Sequence, residues 1–400
     1  MITAVPYSTD SRYRTHPGDG YDGVVRVSFG GYYASGTLLF DGRAVLTVAH
    51  LFEGHTGSAS VIFETSNGTQ TLSATKILQH QEYDVQSNND LAIVWLSSSA
   101  PTMANRYDIY RGDDEIGRSI TLAGYGKTGT GNSGVSSSDI TTPIRLKASN
   151  QFDADATTLK NYMGSGMAWT PLAGTQLIAD FDSASSANDA LGQLITRPDL
   201  GLGLDEGFIA QGDSGGPAFI SGKIAGVASY TASLSKGSVN PDIDTSSNSS
   251  FGEIASWQRI SAYQQWIDQS LRTNYPNAPT QPENVQKEIV EGGSGTSYAY
   301  FLLKFSGARS DLDSILSVDY VTRNGTASFG SDYIAVSGTL NLYPGENQAV
   351  IPVEIIGDTT PEPNETFYLD IFNPVGGSFA EGAIKLTAAR TILDDDGWFG

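Results

Sequence analysis

Short apolar runs separated by turn residues mark the first part of the chain. Residues 43–50 form one such run, which predicts a buried strand that ends at His50. Residues 35–40 form the run before it, and the Asp41-Gly42 pair between the two is typical of a tight hairpin turn. Residues 91–96 are again apolar and predict a strand that begins directly after Asp90.

Near residue 260 the apolar pattern changes to a helical period. Between Trp257 and Ile267, the side chains of Ile260, Tyr263 and Ile267 recur at i, i+3 and i+7, which is one buried face of a helix. We therefore expect a helix over 257–267. Three prolines then lie among polar residues, which predicts a semi-rigid linker over residues 273–284.

After the linker the pattern consists of short strands separated by turn residues, without any segment of helical period. Regular short strands of this kind are typical of a β-sandwich. We expect strands at residues 298–305, 317–322, 338–343, 349–356 and 366–372.

The strongest chemical signal is the hexapeptide Gly212-Asp213-Ser214-Gly215-Gly216-Pro217, in which a serine lies between glycines and follows an acid. Backbone N–H groups in such a turn can point at a developing oxyanion. The segment also fits Gly-x-Ser-x-Gly, but an α/β-hydrolase needs its histidine after the serine. All four histidines precede Ser214, so that class is excluded. The order His…Asp…Ser is that of chymotrypsin-like double β-barrels.

Five segments resemble the trypsin/chymotrypsin family of serine proteases. Thr47–His50 resembles its histidine motif and Asn88–Leu96 its aspartate segment. Leu122–Gly126 resembles a Gly-Trp-Gly strand, Gly226–Tyr230 the strand along the substrate cleft, and Trp257–Ile267 the closing helix. The resemblance extends over about residues 20–270, and it implies a chymotrypsin-like double β-barrel with a C-terminal helix in a domain spanning residues 1–272.

The resemblance assigns a role to each of several residues. Ser214 would be the nucleophile, His50 the general base and Asp90 the acid that orients the histidine. The N–H groups of Gly212 and Ser214 would form the oxyanion hole, and Ser229 would brace Asp90. Protein or peptide is the implied substrate.

Two departures from the family pattern limit what carries over. In the family, the residue six positions before the nucleophile forms the floor of the specificity pocket, and here it is Phe208 rather than an acid. Ser229, Tyr230 and Thr231 would line the pocket wall, where the family often has a glycine at the last of these positions. The resemblance therefore does not imply a preference for Lys or Arg. Asp205 and Glu206 lie nearby and could still attract a basic group, so the specificity stays open.

The second departure concerns Asp213, which should be buried and therefore needs a partner. In the family that partner is a new α-ammonium group, released by cleavage before an Ile-Val-Gly-Gly type of sequence, and none is present here. Two alternatives stay open. Either processing exposes Ile2, or another group satisfies Asp213.

The segments after residue 285 resemble the Calx-beta family. The resemblance rests on residues 319–333, 338–346, 362–367 and 392–396, and it implies a calcium-binding β-sandwich domain over residues 285–400. Clustered carboxylates suit calcium, which takes about 6–8 oxygen ligands. The ligands that the resemblance implies are Glu291, Asp332, Asp358, Glu362, Asp394, Asp395 and Asp396. Gly357 replaces an acid that the family often has beside the position of Asp358, so we expect one calcium site to be weakened or lost. A metal-free sandwich with a solvated acidic rim is the alternative.

Composition narrows the choice of function. The formal net charge of −21 argues against a nucleic-acid partner, since phosphate contacts need Lys and Arg. There are no cysteines, which excludes thiol catalysis and favours a bacterial relative of the family. No apolar run approaches 18 residues, so we expect no membrane span, and no signal peptide is visible.

These observations predict a secreted serine endopeptidase with a calcium-binding accessory domain. The alternative from another class is a catalytically silent protease fold that acts as a calcium-dependent adhesion or binding module. The retention of all three triad residues favours catalysis. An esterase on the same barrel is a weaker alternative, because the acyl-transfer groups do not themselves select amides over esters. The sequence leaves the oligomeric state open.

Overall fold

Strands make up most of the regular structure in residues 1–136, 143–309 and 311–397, the part of the chain that the computed structural model describes. The chain divides into two units. The first comprises Met1–Leu39 and Arg43–Gln264, and the second comprises Phe40–Gly42 and Gln265–Gly400. No helix in the described ranges has the length and apolar character needed to cross a membrane.

The first unit contains all the strands and helices before the long C-terminal helix, together with the first part of that helix, up to Gln264. The elements up to the end of that helix are as follows. The strands are β1 (Ile2–Thr3), β2 (Val24–Phe29), β3 (Tyr32–Leu38), β4 (Ala44–Thr47), β5 (Ser60–Thr65), β6 (Gly68–Gln79), β7 (Ala92–Leu96), β8 (Ser119–Gly124), β9 (Gly129–Thr130), β10 (Gly134–Val135), β11 (Leu146–Gln151), β12 (Ala154–Asp155), β13 (Gln176–Asp180), β14 (Gly207–Phe208), β15 (Pro217–Ile220), β16 (Lys223–Ala232) and β17 (Ile254–Arg259). The helices are α1 (Ala156–Met163), α2 (Ala190–Ile195) and α3 (Ile260–Arg272), with short 3₁₀ turns at Ser11–Tyr13, His50–Phe52, Gly164–Gly166 and Gly203–Asp205.

Strands β2 to β7 close into a barrel in the order β2-β3-β4-β7-β6-β5. Side chains alternate along β5, where Val61 and Phe63 are fully buried between more exposed neighbours. This period of two places every second side chain inside the barrel. The barrel makes β4 and β7 direct neighbours, which matters for the site described below.

A second, barrel-like sheet runs in the order β11-β8-β15-β16-β17-β13-β12, beside a smaller sheet in the order β10-β9-β1-β14. Their shared core is aromatic: the rings of Phe181 and Phe208 stack at 5.3 Å, and Phe152 packs edge-on against Trp257 at 5.5 Å. The expected all-β architecture, with two barrel-like sheets and a C-terminal helix, is confirmed.

Two element boundaries differ from the prediction. The helix expected over 257–267 begins at Ile260, because Trp257 and its neighbours pair as strand β17 with both β13 and β16. Two-sided strand pairing outweighs the local helical period there. The strand expected to end at His50 ends at Thr47, and His50 opens a 3₁₀ turn.

The second unit is a β-sandwich. Its strands are β18 (Glu288–Val290), β19 (Thr296–Lys304), β20 (Leu316–Asn324), β21 (Ser337–Leu342), β22 (Gln348–Ile356), β23 (Glu365–Val375) and β24 (Lys385–Leu393), with 3₁₀ turns at Pro282–Asn284 and Ala380–Gly382. One sheet has the order β18-β24-β23-β20-β21, and β19 pairs with β22 in the other. The five predicted strands are confirmed to within a few residues, whereas β18 and β24 were not predicted.

Candidate active site and acidic sites

His50 and Asp90 meet because their strands are neighbours in the barrel. The end of β4 pairs with the start of β7, with Thr47 opposite Ala92, so the residues just beyond these ends lie together. His50 Nδ1 lies 2.7 Å from Asp90 Oδ2, and the His50 backbone N–H donates to Asp90 Oδ1 at 2.9 Å. The carboxylate therefore holds both the ring and the main chain of the histidine.

The environment of His50 favours its charged form. Burial alone lowers the pKa of His50, but the hydrogen bond to Asp90 and the charges of Asp90 and Glu53 outweigh burial, so that the pKa is raised above its usual 6.5. Asp90 is fully buried, whereas the His50 side chain is 36% exposed. The imidazole is thus anchored on its buried side and open on the other.

A serine from the neighbouring sheet completes the surroundings of Asp90. Ser229, in β16, donates from Oγ to Asp90 Oδ2 at 2.6 Å and is itself buried. A hydroxyl donor stabilises the ionised carboxylate and holds it in one orientation.

The loop that carries Ser214 is attached to the same strand. The Gly215 N–H donates to the Ala228 carbonyl at 2.8 Å, and the Ala228 N–H donates to the Gly216 carbonyl at 2.9 Å. Ser214 is half-buried and lies one residue before this pairing. The loop is therefore anchored one residue away from Ser229, the residue that contacts Asp90.

Backbone donors in this loop are free at two positions. The Asp213 N–H donates to the Ala210 carbonyl at 2.8 Å, but the N–H groups of Gly212 and Ser214 have no acceptor in the described residues. Gly212 has φ +96°, and a Cβ atom there would lie 2.9 Å from Tyr33 Cε2. Glycine is therefore required at this position, for its backbone conformation and for space.

Ser35, a residue that the sequence analysis missed, holds this loop from the first barrel. Its N–H donates to the Ser214 carbonyl at 2.8 Å, and its Oγ donates to the Gly212 carbonyl at 2.9 Å. The same Oγ accepts the Tyr125 N–H at 2.9 Å. A buried serine in the middle of a strand has no local sequence signature, because its partners lie far along the chain.

Asp213 has a cationic partner in this structure. The α-ammonium group of Met1 lies 2.8 Å from Asp213 Oδ2, and both groups are 1% exposed. Asp213 also accepts the Gly126 N–H at 2.8 Å and the Ala210 N–H at 3.0 Å. Ile2, the next residue, is buried in β1 opposite Phe208.

Ser214 and His50 are not joined by a hydrogen bond in the described structure. The His50 ring is hydrogen-bonded to Asp90, and Ser214 accepts the Ser35 N–H through its backbone carbonyl. Hydrogen bonds at catalytic serines are often long in the absence of substrate and shorten when it binds.

A separate group of acids lies at one end of the β-sandwich in the second unit. Oxygen atoms of Glu291, Asp394 and Asp396 all lie within 4.8 Å of one another. Burial, and then the neighbouring carboxylates, raise the pKa of Glu291 to about 7. Glu291 Oε1 and Asp396 Oδ2 are buried without a hydrogen-bond partner among the described residues.

A second acidic group in this unit joins Asp332 and Glu362 to Glu365, which the sequence analysis did not include. Glu365 is the first residue of β23, two residues before the buried Phe367, and it lies in the segment 362–367 on which the Calx-beta resemblance rests. Asp358 and Asp395 accept hydrogen bonds from nearby N–H groups, those of Thr360 at 2.6 Å and Gly292 at 3.1 Å.

Family models match both parts of the chain. The Trypsin model matches residues 13–168, which include His50 and Asp90 and end before Ser214. The Calx-beta domain model matches residues 303–396. The chain contains a trypsin-like domain followed by a Calx-beta domain.

Curated relatives match the Calx-beta domain. The sodium/calcium exchanger Calx of Drosophila melanogaster is 39% identical over 88 residues, which is 22% of this chain and 9% of the exchanger. Sodium/calcium exchanger 2 of Rattus norvegicus is 38% identical over 97 residues, 21% of this chain and 10% of the exchanger. The chain thus spans about a tenth of the length of these relatives.

A solved structure matches the trypsin-like domain. It is neuropsin, a serine protease expressed in the limbic system of mouse brain, with a TM-score of 0.46 and 17% identity. The match covers 65% of this chain and 98% of neuropsin.

The four residues expected at the specificity pocket of the trypsin-like domain have different surroundings in the structure. Phe208 is fully buried in the aromatic core, stacked on Phe181. Ser229 faces Asp90. Tyr230 and Thr231 instead line an open pocket of about 410 Å³ with Trp169, whose Nε1 donates to the Tyr230 hydroxyl at 2.9 Å.

Proposed function

We propose that the trypsin-like domain is a serine endopeptidase, with Ser214 as nucleophile, His50 as general base and Asp90 as the residue that orients His50. The observation on which this proposal depends most is the pair of free N–H groups on Gly212 and Ser214. Two free backbone donors beside a serine are suited to the oxyanion of an acyl-transfer reaction.

In the proposed reaction, Ser214 Oγ attacks the peptide carbonyl carbon while its proton passes to His50 Nε2. The carbonyl oxygen becomes negative and accepts hydrogen bonds from Gly212 and Ser214. The C–N bond then breaks as the imidazolium returns the proton to the leaving amine. Water, deprotonated by His50, next attacks the acyl-enzyme ester. The ester C–O bond then breaks as the imidazolium returns the proton to Ser214 Oγ, and the acid product leaves.

The surroundings of His50 support its role as the base. Asp90 keeps the proton on Nδ1, which leaves Nε2 as the acceptor, and its negative charge stabilises the imidazolium formed in the reaction. The charge of Asp90 is itself supported by Ser229. Substrate must bring Ser214 Oγ into hydrogen-bond contact with Nε2, because that bond is not formed in this structure.

Labelling with a fluorophosphonate tests the proposal, since the reagent reacts with activated serines. We expect one label per folded chain, lost in Ser214→Ala and retained in Ser221→Ala, a matched control at a turn of the same domain. Hydrolysis of a peptide library by the wild-type protein would then separate a peptidase from an esterase. Absence of label from the folded wild-type protein would favour the alternative, a non-catalytic binding module.

We further propose that the Calx-beta domain binds calcium through the acids at one end of its sandwich. The ligand set is purely oxygen and strongly negative, which suits a hard cation. The two unpartnered buried oxygens, on Glu291 and Asp396, support this assignment. Neither accepts a hydrogen bond from a described residue, and a bound cation would supply the missing interaction. Glu291, Asp394 and Asp396 would hold one ion, and Asp332, Glu362 and Glu365 would hold another.

Calcium titration followed by thermal unfolding tests this second proposal. A ligand that binds only the folded state raises the unfolding temperature by mass action. We expect the rise in wild-type protein to shrink in Glu291→Gln and to persist in Glu288→Gln, an exposed acid in β18. An equal rise in both variants would contradict the assignment of Glu291.

We also propose that the protein acts outside the cell, where peptide substrates and millimolar calcium occur together. Extracellular calcium modules work with Kd values of about 10⁻⁴–10⁻³ M. Fractionation of the source cells followed by fluorophosphonate labelling would test this, and label found only in the cytosolic fraction would contradict it.

A further inference from the structure

A third group of acids lies in the trypsin-like domain, built on elements other than those that carry His50 and Ser214. Strand β13 ends at Asp180, Asp182 follows two residues later, and Asp189 caps the N-terminus of α2. Carboxylate oxygens of these three residues lie within 4.8 Å of one another. All three side chains are buried, with exposed fractions of 3–5%.

Glu206 and Asp199 bring further negative charge to this group. Glu206 Oε1 accepts the Asp182 N–H at 2.8 Å, and the Asp199 N–H donates to Asp189 Oδ2 at 3.3 Å. Asp153 adds a sixth carboxylate, since Gln151 Nε2 donates both to Asp153 at 3.1 Å and to Asp199 at 3.0 Å. Segments far apart in the chain therefore direct six acids into one region.

No basic side chain balances this charge among the described residues. None of the six carboxylates forms an ion pair with Lys, Arg or His, and the charges that act on them are those of the other acids. Burial and the neighbouring carboxylates accordingly raise the pKa of Asp182, and burial raises the pKa of Glu206 to about 8. Uncompensated carboxylates in the interior are strongly unfavourable.

Asp182 differs from its two neighbours in having no hydrogen-bond donor. Asp180 Oδ2 accepts the Leu191 N–H at 2.7 Å, and Asp189 Oδ1 accepts the Gly192 N–H at 2.6 Å. The Asp182 carboxylate accepts no hydrogen bond from a described residue, and its Oδ1 is inaccessible to solvent. A buried carboxylate without a donor, in a group whose oxygens lie within 4.8 Å of one another, is suited to bind a cation.

We propose that Asp180, Asp182 and Asp189 bind a calcium ion within the trypsin-like domain, with Asp153, Asp199 and Glu206 around it. The donors are all oxygens, without the imidazole or thiolate that would favour zinc or copper. Calcium accepts the irregular geometry of several carboxylates, whereas magnesium requires a near-octahedral shell and keeps most of its water.

The position of this ion gives it a structural role near the nucleophile. It would join the end of β13 to the N-terminus of α2 and to the segment that ends at Glu206. Glu206 directly precedes β14, whose Phe208 pairs with Ile2 beside the Met1 ammonium group. Calcium would therefore hold together the elements that position the loop of Ser214.

Hydrogen exchange measured by mass spectrometry on the full chain tests the proposal, because it separates this site from those of the Calx-beta domain. Exchange in peptides covering residues 177–206 is compared in EDTA and in calcium chloride. At a calcium concentration ten times the Kd, we expect exchange of these amides by local opening to slow by about tenfold. The calcium concentration is raised to tenfold above the one at which protection of residues 288–396 is complete. Exchange of residues 177–206 in wild-type protein that is still unchanged at this concentration would overturn the proposal.

Variants connect the protection to the carboxylates. Asp182→Asn removes the unpartnered oxygen and one of the repelling charges, so we expect it to fold and to lose the calcium-dependent protection of residues 177–206. Asp189→Asn, which retains the cap of α2 through its amide oxygen, should weaken the same protection. Asp155→Asn, at the cap of α1 outside the group, should leave it unchanged.

Two results would refute the assignment. Protection that persists unchanged in Asp182→Asn would show that the ion is bound elsewhere. Equal protection by magnesium chloride at the same concentration would refute the selection of calcium. The internal standard is the calcium-dependent protection of residues 288–396, which belong to the Calx-beta domain. Asp182→Asn should retain this protection.

Discussion

The substitution Asp213→Asn tests how the nucleophile loop is held in place. Asp213 pairs with the Met1 ammonium group at 2.8 Å, with both groups 1% exposed, and accepts N–H groups from Gly126 and Ala210. An asparagine has one acceptor oxygen, so its amide nitrogen would face at least one of these donors. The Met1 ammonium would then remain buried without a negative partner.

The expected cost follows from that burial. Removing one partner of a buried ion pair destabilises a protein by roughly 3–5 kcal/mol, because the other charge stays uncompensated. At an m-value of about 2 kcal/mol per M, a loss of about 4 kcal/mol lowers the urea midpoint by about 2 M. Tryptophan fluorescence follows this transition, since Trp95, Trp169 and Trp257 lie in the first unit.

Asp22→Asn is the matched control. Asp22 Oδ1 pairs with Arg145 Nη2 at 2.7 Å, and these side chains are 1% and 2% exposed. A similar loss of stability is expected, but this pair does not touch the loop between Gly212 and Ser214. The rate of fluorophosphonate labelling, measured on folded protein, should therefore fall in Asp213→Asn and stay at the wild-type value in Asp22→Asn.

Two outcomes would refute this reasoning. Wild-type stability of Asp213→Asn would show that the buried ion pair does not form in solution. Equal labelling rates in the two variants, both measured below their urea transitions, would show that the geometry of the loop does not depend on Asp213.

Four further predictions concern the same site. Because the pKa of His50 is raised, kcat/KM should fall on acidification with a midpoint above pH 6.5, and a midpoint below 6.5 would contradict the Asp90 contact. The stabilising effect of protonated His50 should be complete below pH 6.5 and lost as the pH rises through the raised pKa, as measured by urea unfolding. Ser35→Ala leaves the buried Gly212 carbonyl without its hydroxyl donor, so it should cost about 1–3 kcal/mol in urea unfolding and slow labelling; unchanged labelling would contradict a positioning role. Gly212→Ala should abolish labelling. Gly18→Ala, at a position with φ +93° and open space around a Cβ atom, should lower the free energy of unfolding by about 1 kcal/mol and retain labelling. Labelling of Gly212→Ala would contradict the steric argument.

The residues proposed for catalysis could be predicted because each follows a local pattern. His50 lies just beyond an apolar strand, Asp90 just before one, and Ser214 is between glycines. Strand pairing then brings the first two together, since β4 and β7 are neighbours. The motifs and the family resemblance thus identified the residues, whereas the reason for their proximity is a strand pairing that the structure shows.

The boundary of α3 shows where local pattern fails. Trp257 and Ile260 both fit the apolar face of a helix, yet Trp257 lies in a strand that pairs on both sides. The backbone hydrogen bonds of two neighbouring strands decide the conformation there, and neither strand is adjacent in sequence. Ser35 was missed for the same reason, because its acceptor carbonyl at Gly212 is 177 residues away.

The acids of the two domains differ in how visible they are in the sequence. In the Calx-beta domain, resemblance to a family implies most of these acids as calcium ligands. In the trypsin-like domain, Asp189 alone is indistinguishable from an ordinary helix cap, and Asp182 from a turn residue. Their significance arises only when folding buries them together without a counter-charge. A balancing cation would therefore make the stability of both domains depend on calcium, through ligand sets that share no sequence motif.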